Sequence, residues 1–115
     1  MTTELVSIAP EEIRQRIDIH QIIPYVDRFG YLPVIRLMDG ICLSVQCNSG
    51  TYAREEQGRF TTMEVGFPTA RIEELLDYAE DPDEPTRTVY PYVPVAVIND
   101  IINKHGGIDA LMRPR

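Results

Sequence analysis

The 115-residue sequence contains a single lysine, Lys104, with only two histidines and two cysteines. Each scarcity closes off a class of function. Binding to nucleic acid or to an anionic membrane needs a basic face that displaces counterions from phosphate. Here 18 acidic residues stand against 11 basic ones, the formal charge is −7, and the arginines are dispersed. Direct contact with nucleic acid or membrane is not expected. No stretch approaches the roughly 20 apolar residues of a membrane span. The opening Met1-Thr2-Thr3-Glu4 has neither the basic region nor the apolar run of a secretory leader. Two cysteines are too few for a secreted disulfide scaffold, so a reducing, cytoplasmic compartment is expected.

Metal and nucleophile chemistry is equally thin. Cys42 and Cys47 are five apart on an alternating stretch, which sends them to opposite faces. With His20 and His105 as the only imidazoles, no zinc-ligand spacing exists. Asp81 and Asp83 alternate as calcium ligands would, but no glycine follows at the offset that a calcium loop requires. No Walker loop or dinucleotide fingerprint is present. Metal and cofactor are therefore both expected to be absent. Cys42 or a carboxylate such as Glu64 remains the starting point for any catalytic reading, in which case the chain is a small hydrolase.

What the sequence does hold is the pattern of one domain. Its hydrophobic fraction of 43% and charged fraction of 25% are ordinary globular values. Pro10-Glu11-Glu12 reads as a helix start, continued by Ile13 and Ile17 and ended before Pro24. Leu32–Met38 and Ile41–Cys47 flank Asp39-Gly40, a hairpin signal. In the second strand, Ile41, Leu43, Val45 and Cys47 share the core face, and Cys42, Ser44 and Gln46 the other. Phe60–Phe67 alternates again as a third strand, antiparallel to the second, with Thr61, Met63, Val65 and Phe67 on one side and Thr62 and Glu64 on the other. A short helix over about 70–79 follows, with Thr69 as its cap. Val89–Val93 is extended, and a final helix runs from Pro94 to the left-handed cap at Gly106. Residues 1–8 read as a flexible lead and 109–115 as a flexible tail. The expected fold is α+β: a small antiparallel sheet of three to four strands packed by two to three helices, in a single domain spanning 1–115.

Two surfaces invite a binding partner. The segment Asn48–Arg59 reads as a polar loop with two small anion nests, Asn48-Ser49-Gly50 and Gln57-Gly58-Arg59. Beside the strand positions it points to a ligand site made of Ser44, Gln46, Tyr52, Arg54, Arg59, Thr62 and Glu64. The second surface is the acidic run that includes Glu80, Asp81, Asp83 and Glu84, joined by Tyr90 and Tyr92 on a proline-stiffened segment. Runs of this kind are solvated loops, or they imitate phosphates toward a basic protein. Tyrosines are favoured at interfaces, and alternation must turn one of these two rings inward.

The stretches Leu43-Ser44-Val45-Gln46 to Met63-Glu64-Val65-Gly66-Phe67-Pro68, and Tyr78-Ala79-Glu80-Asp81-Pro82 through Tyr90-Pro91-Tyr92-Val93-Pro94 to Lys104-His105-Gly106-Gly107-Ile108, resemble a group of small bacteriophage and prophage proteins without an assigned activity. The resemblance spans roughly residues 32 to 108. It implies a phage setting, in the host cytoplasm, and carries over no catalytic or ligand residues. The functional expectation is a non-enzymatic, phage-derived binding protein that engages a host protein, as an inhibitor or to antagonise a host defence system. The alternative is a protein that binds or sequesters a small nucleotide-like signal. A homodimer or higher homo-oligomer is expected.

Overall fold

The computed structural model describes residues 4–6, 17–48 and 50–113. Its strands are β1 (Glu4–Val6), β2 (Val34–Leu37), β3 (Cys42–Gln46), β4 (Arg54–Glu56), β5 (Arg59–Gly66), β6 (Val89–Pro94) and β7 (Ile108–Met112). One α-helix, α1 (Val95–Lys104), and two 3₁₀ helices, Ile19–Tyr25 and Glu73–Tyr78, complete the described elements. Every pairing is antiparallel, in the order β1-β7-β2-β3-β5, with β4 and β6 also on β5. Strands β3 and β4 run end to end along one edge of β5, against 64–66 and 59–62 respectively, and β6 lies along the other edge. Strand β3 ends at Gln46 and β4 begins at Arg54.

This is a larger sheet and a smaller helical layer than the sequence led us to expect. The presumed tail supplies β7, which sits inside the sheet between β1 and β2, and the presumed lead supplies β1. The presumed polar loop contains β4, folded back on β5 by Gln57 and Gly58 at φ 52° and 79°. Two successive positive φ values are those of a primed two-residue hairpin turn. Polarity concealed this strand: all three β4 residues are exposed, so no alternation marks them. The β2–β3 turn differs in detail as well. Leu37 carbonyl accepts from Gly40, Leu37 N–H donates to Ile41, and only Gly40 has a positive φ, 92°. That is a three-residue turn closed by a left-handed glycine.

Alternation of side chains puts Ile35, Leu37, Leu43, Val45, Met63 and Val65 on one face, a register shift in the β2–β7 pairing brings both Ile108 and Leu111 to it, and the helices cover it. Helix α1 contributes Ile98, Ile101 and Ile102; Ile19 and Ile22, and Ile72 and Leu75, come from the two 3₁₀ segments. Helix α1 closes as the sequence reads: Gly107 N–H donates to Ile102 carbonyl and Gly106 N–H to Asn103 carbonyl, with Gly106 at φ 91°.

The other helices depart from expectation. The helix expected from Pro10 falls on 7–16, outside the described residues. The 3₁₀ helix that follows contains Pro24 rather than ending before it, and it starts at a capping box in which Asp18 accepts from His20 N–H while Gln21 Oε1 accepts from Asp18 N–H. Thr69 caps nothing: its hydroxyl accepts from Cys42 N–H and its N–H donates to Cys42 carbonyl, stitching the chain to β3. Without that cap, the helix expected over 70–79 shrinks to the 3₁₀ turn beginning at Glu73.

Side-chain amides perform strand-like pairing at two places. Asn103 accepts from Ile17 N–H at 2.9 Å and donates to Ile17 carbonyl at 3.1 Å. Gln46 accepts from Leu32 N–H at 2.7 Å and donates to Leu32 carbonyl at 2.9 Å. Each amide satisfies both backbone groups of a buried residue that lies outside any ladder.

Candidate functional site

The sheet face opposite the core is polar on β3 because Cys42, Ser44 and Gln46 alternate with Leu43 and Val45. Strand register extends it. Met112, Val34, Ser44 and Gly66 are consecutive partners across β7, β2, β3 and β5 and form one transverse row. Arg36 and Cys42 form the row on one side, and Gln46 and Glu64 the row on the other. Because Gly66 has no side chain, the middle row dips, and Tyr31, Phe67 and Thr69 rise at the rim. The result is an open groove of about 650 Å³, within the size range of small-ligand sites.

Phe67 overturns a sequence expectation. Strict alternation places it with Met63 and Val65 on the core face, yet it is 58% exposed and lines the groove. Its φ is 47°, and its N–H donates to Thr88 carbonyl, which fixes the turned conformation. A bulky residue at positive φ is strained. Tyr92 is similar: φ 53°, N–H bonded to Tyr52 carbonyl, ring exposed. The Tyr52 and Tyr92 rings lie 5.9 Å apart and tilted by 53°, with the Arg54 guanidinium 5.8 Å from the Tyr92 ring centre.

Of the residues singled out from sequence, Ser44, Gln46 and Glu64 line the groove together. Gln46, however, is buried and its amide is committed to Leu32 and Ser44, so it positions Tyr31 and the groove wall rather than offering donors to a ligand. Glu64 is half-buried and accepts one long bond from Tyr52 N–H, 3.5 Å. Thr62 Oγ1 accepts from Arg54 N–H in the β4–β5 hairpin. Arg59 lies elsewhere: its guanidinium meets Asp18 Oδ2 at 3.3 Å and His20 Nδ1 at 2.8 Å. The two arginines therefore do not converge on an anion. Nor is Asn48–Gly50 an open nest, because Gly50 N–H is taken by Asn48 Oδ1; Ser49 lies outside the described residues.

The four acids singled out at the end of the acidic run are displayed. Glu80, Asp81, Asp83 and Glu84 are exposed on a loop pinned by Asp81 N–H to Thr88 Oγ1 and Glu80 N–H to Val89 carbonyl. Tyr90 does not belong to that surface. It is fully buried, its hydroxyl donates to Pro85 carbonyl, and burial pushes its pKa up against the opposing pull of Arg71. No known protein family, curated protein or solved structure matches this chain.

Both imidazoles are engaged away from the groove. His20 Nδ1 meets Asp18 Oδ1 and Nε2 meets Phe60 carbonyl, each at 2.8 Å. His105 Nδ1 meets Asp39 Oδ2, clamping the β2–β3 turn to the end of α1. Burial works against ionisation of Asp18 and of Asp39, but hydrogen bonds and charge from His20 and His105 outweigh it. Both carboxyls titrate below the ordinary value of 3.8. Cys42 lines the groove with its Sγ directed to Gly40 carbonyl. Cys47 is on the core side, where burial raises its pKa. Among the described residues, no cluster of His, Cys, Asp and Glu is arranged to hold a metal, and no helix is long and apolar enough to cross a membrane.

Sequence reasoning missed Tyr31, Val34, Arg36, Gly66, Phe67, Thr69 and Met112 as groove residues. Val34 and Arg36 were legible in principle, since they alternate with Ile35 and Leu37. Met112 was not, because nothing local assigns residues 108–112 to the sheet.

Proposed function

We propose that this chain is a non-catalytic binding protein that holds a small organic ligand in the groove between Tyr31 and Phe67. The observation that carries the reading is the backbone of Phe67. A β-strand has been broken, at the cost of a strained φ of 47°, to turn a large apolar ring out of the core and onto the groove. Strain retained at an exposed ring points to a role for that ring outside folding. Among the described residues no imidazole meets Cys42, because His20 and His105 are held by Asp18 and Asp39. Binding rather than covalent turnover suits that arrangement. In a phage-derived chain, sequestering a small signal would serve to antagonise a host defence system.

A second reading is favoured by the acidic loop, which presents Glu80, Asp81, Asp83 and Glu84 on a backbone tied down at Glu80 and Asp81. A basic host protein would dock there, and its affinity would fall as salt rises.

A fragment screen followed by backbone amide NMR separates the two. Groove binding shifts the amides of Val34, Ser44 and Phe67, and it disappears in Phe67→Gly and Gly66→Val. Phe67→Gly keeps or raises thermal stability, because glycine removes the strain. The groove reading fails if ligands bind Phe67→Gly and Gly66→Val as well as the parent chain.

A further inference from the structure

We infer that the ligand of this groove is a small organic cation, with an amidinium, guanidinium or ammonium head bound by Glu64 and an apolar body lying on Phe67. The inference rests on the groove reading and adds the chemistry of the occupant.

Charge complementarity carries it. Among the described residues lining the groove, Arg36 is the sole cation, and its Nε already donates to Asp109 Oδ2 at 2.7 Å while Nη1 approaches Met112 Sδ. Glu64 is the sole acid on the lining, and among the described residues it has no cationic partner. A half-buried carboxylate in partly apolar surroundings gains more from a bound cation than an exposed one does. Arg36 is thus neutralised and Glu64 is not, and the groove presents one uncompensated negative charge beside an apolar floor.

The neighbourhood of Glu64 supports the same chemistry. Its contact with Tyr52 N–H places it next to the segment whose aromatic ring pairs with Tyr92. The chain's own Arg54 already sets a guanidinium over Tyr92. Aromatic faces and a carboxylate within one neighbourhood are the elements of organic-cation recognition. The formal charge of −7 attracts cations to the molecule as a whole. An anion would meet repulsion from Glu64 and find Arg36 taken.

The test compares three probes of one shape, benzamidine, benzamide and benzoate, by titration followed with backbone amide NMR at low salt. Benzamidine is expected to shift the amides of Gln46, Glu64 and Phe67 and to bind at least about tenfold more tightly than benzamide, a difference of about 1.4 kcal/mol. Glu64→Gln, which keeps the shape and removes the charge, should bring the two together. Gly66→Val should abolish both. If benzamide binds as well as benzamidine and Gly66→Val blocks it, the groove stands and the cation assignment is wrong. Stronger binding of benzoate also overturns the assignment. If no probe shifts groove amides at millimolar concentration, the groove reading itself falls.

Discussion

Replacing Gln46 by methionine tests the amide clamp that builds the groove wall. Methionine keeps the unbranched length of glutamine and removes its hydrogen bonds. Leu32 is 1% exposed, and its N–H and carbonyl both bond the Gln46 side chain. Stranding a buried backbone group costs about 1–3 kcal/mol, so two such groups set a range of about 2–6 kcal/mol. Relief from desolvating the amide returns part of this, which leaves an expected loss of about 2–4 kcal/mol. For a chain of this size, a urea m-value near ~1.3 kcal/mol/M converts that loss to a midpoint lower by about 2 M. Ser44→Ala is the matched control. It removes one partner of Gln46 Nε2 at 3.1 Å and leaves Leu32 satisfied, so its loss should stay under about 1 kcal/mol. Urea unfolding followed by circular dichroism reads both, provided the m-value is unchanged. A Gln46→Met loss below about 0.5 kcal/mol would refute the clamp, because Leu32 would then have an alternative partner.

Acid should expose the two aspartate–histidine contacts. Asp18 and Asp39 have folded pKa values below their unfolded ones. Their contribution is complete above the unfolded pKa and is lost as pH falls through the folded one. Between about pH 5 and pH 2 the parent chain should therefore lose more stability than the Asp18→Asn/Asp39→Asn double variant. Parallel stability curves for the two proteins across that interval would contradict the assignment. At the β4–β5 turn, Gly58→Ala places a side chain at φ 79°, and melting should show a loss of about 1–2 kcal/mol. Gln57→Asn, at φ 52°, should raise the melting temperature, because asparagine tolerates this region. A null result at both positions would mean that this hairpin is open in solution.

How far the sequence could be read depended on how local each cause was. Alternation in Ile41–Cys47 and Phe60–Gly66 is a property of neighbouring residues, and the faces it assigned to Leu43, Val45, Met63 and Val65 are those observed. The end of α1 at Gly106 is equally local, since a glycine able to adopt φ 91° is visible in the string. Phe67 was misassigned because a hydrogen bond to Thr88, distant in sequence, breaks the period at that residue. Strand β4 was missed because both its faces are wet.

The sequence by itself determined a negatively charged chain, a central hairpin with one apolar and one polar face, and a helix that stops at Gly106, because these follow from composition, from periods of two and 3.6 residues and from a glycine cap. Only the tertiary structure decided that residues 108–112 enter the sheet, that Gln46 is spent on Leu32, that Arg36 is paired with Asp109, and that Glu64 has no cationic partner among the described residues. The Gln46–Leu32 and Arg36–Asp109 partnerships join residues 14 and 73 positions apart. No local pattern encodes them; they are fixed when strand register brings the partners face to face.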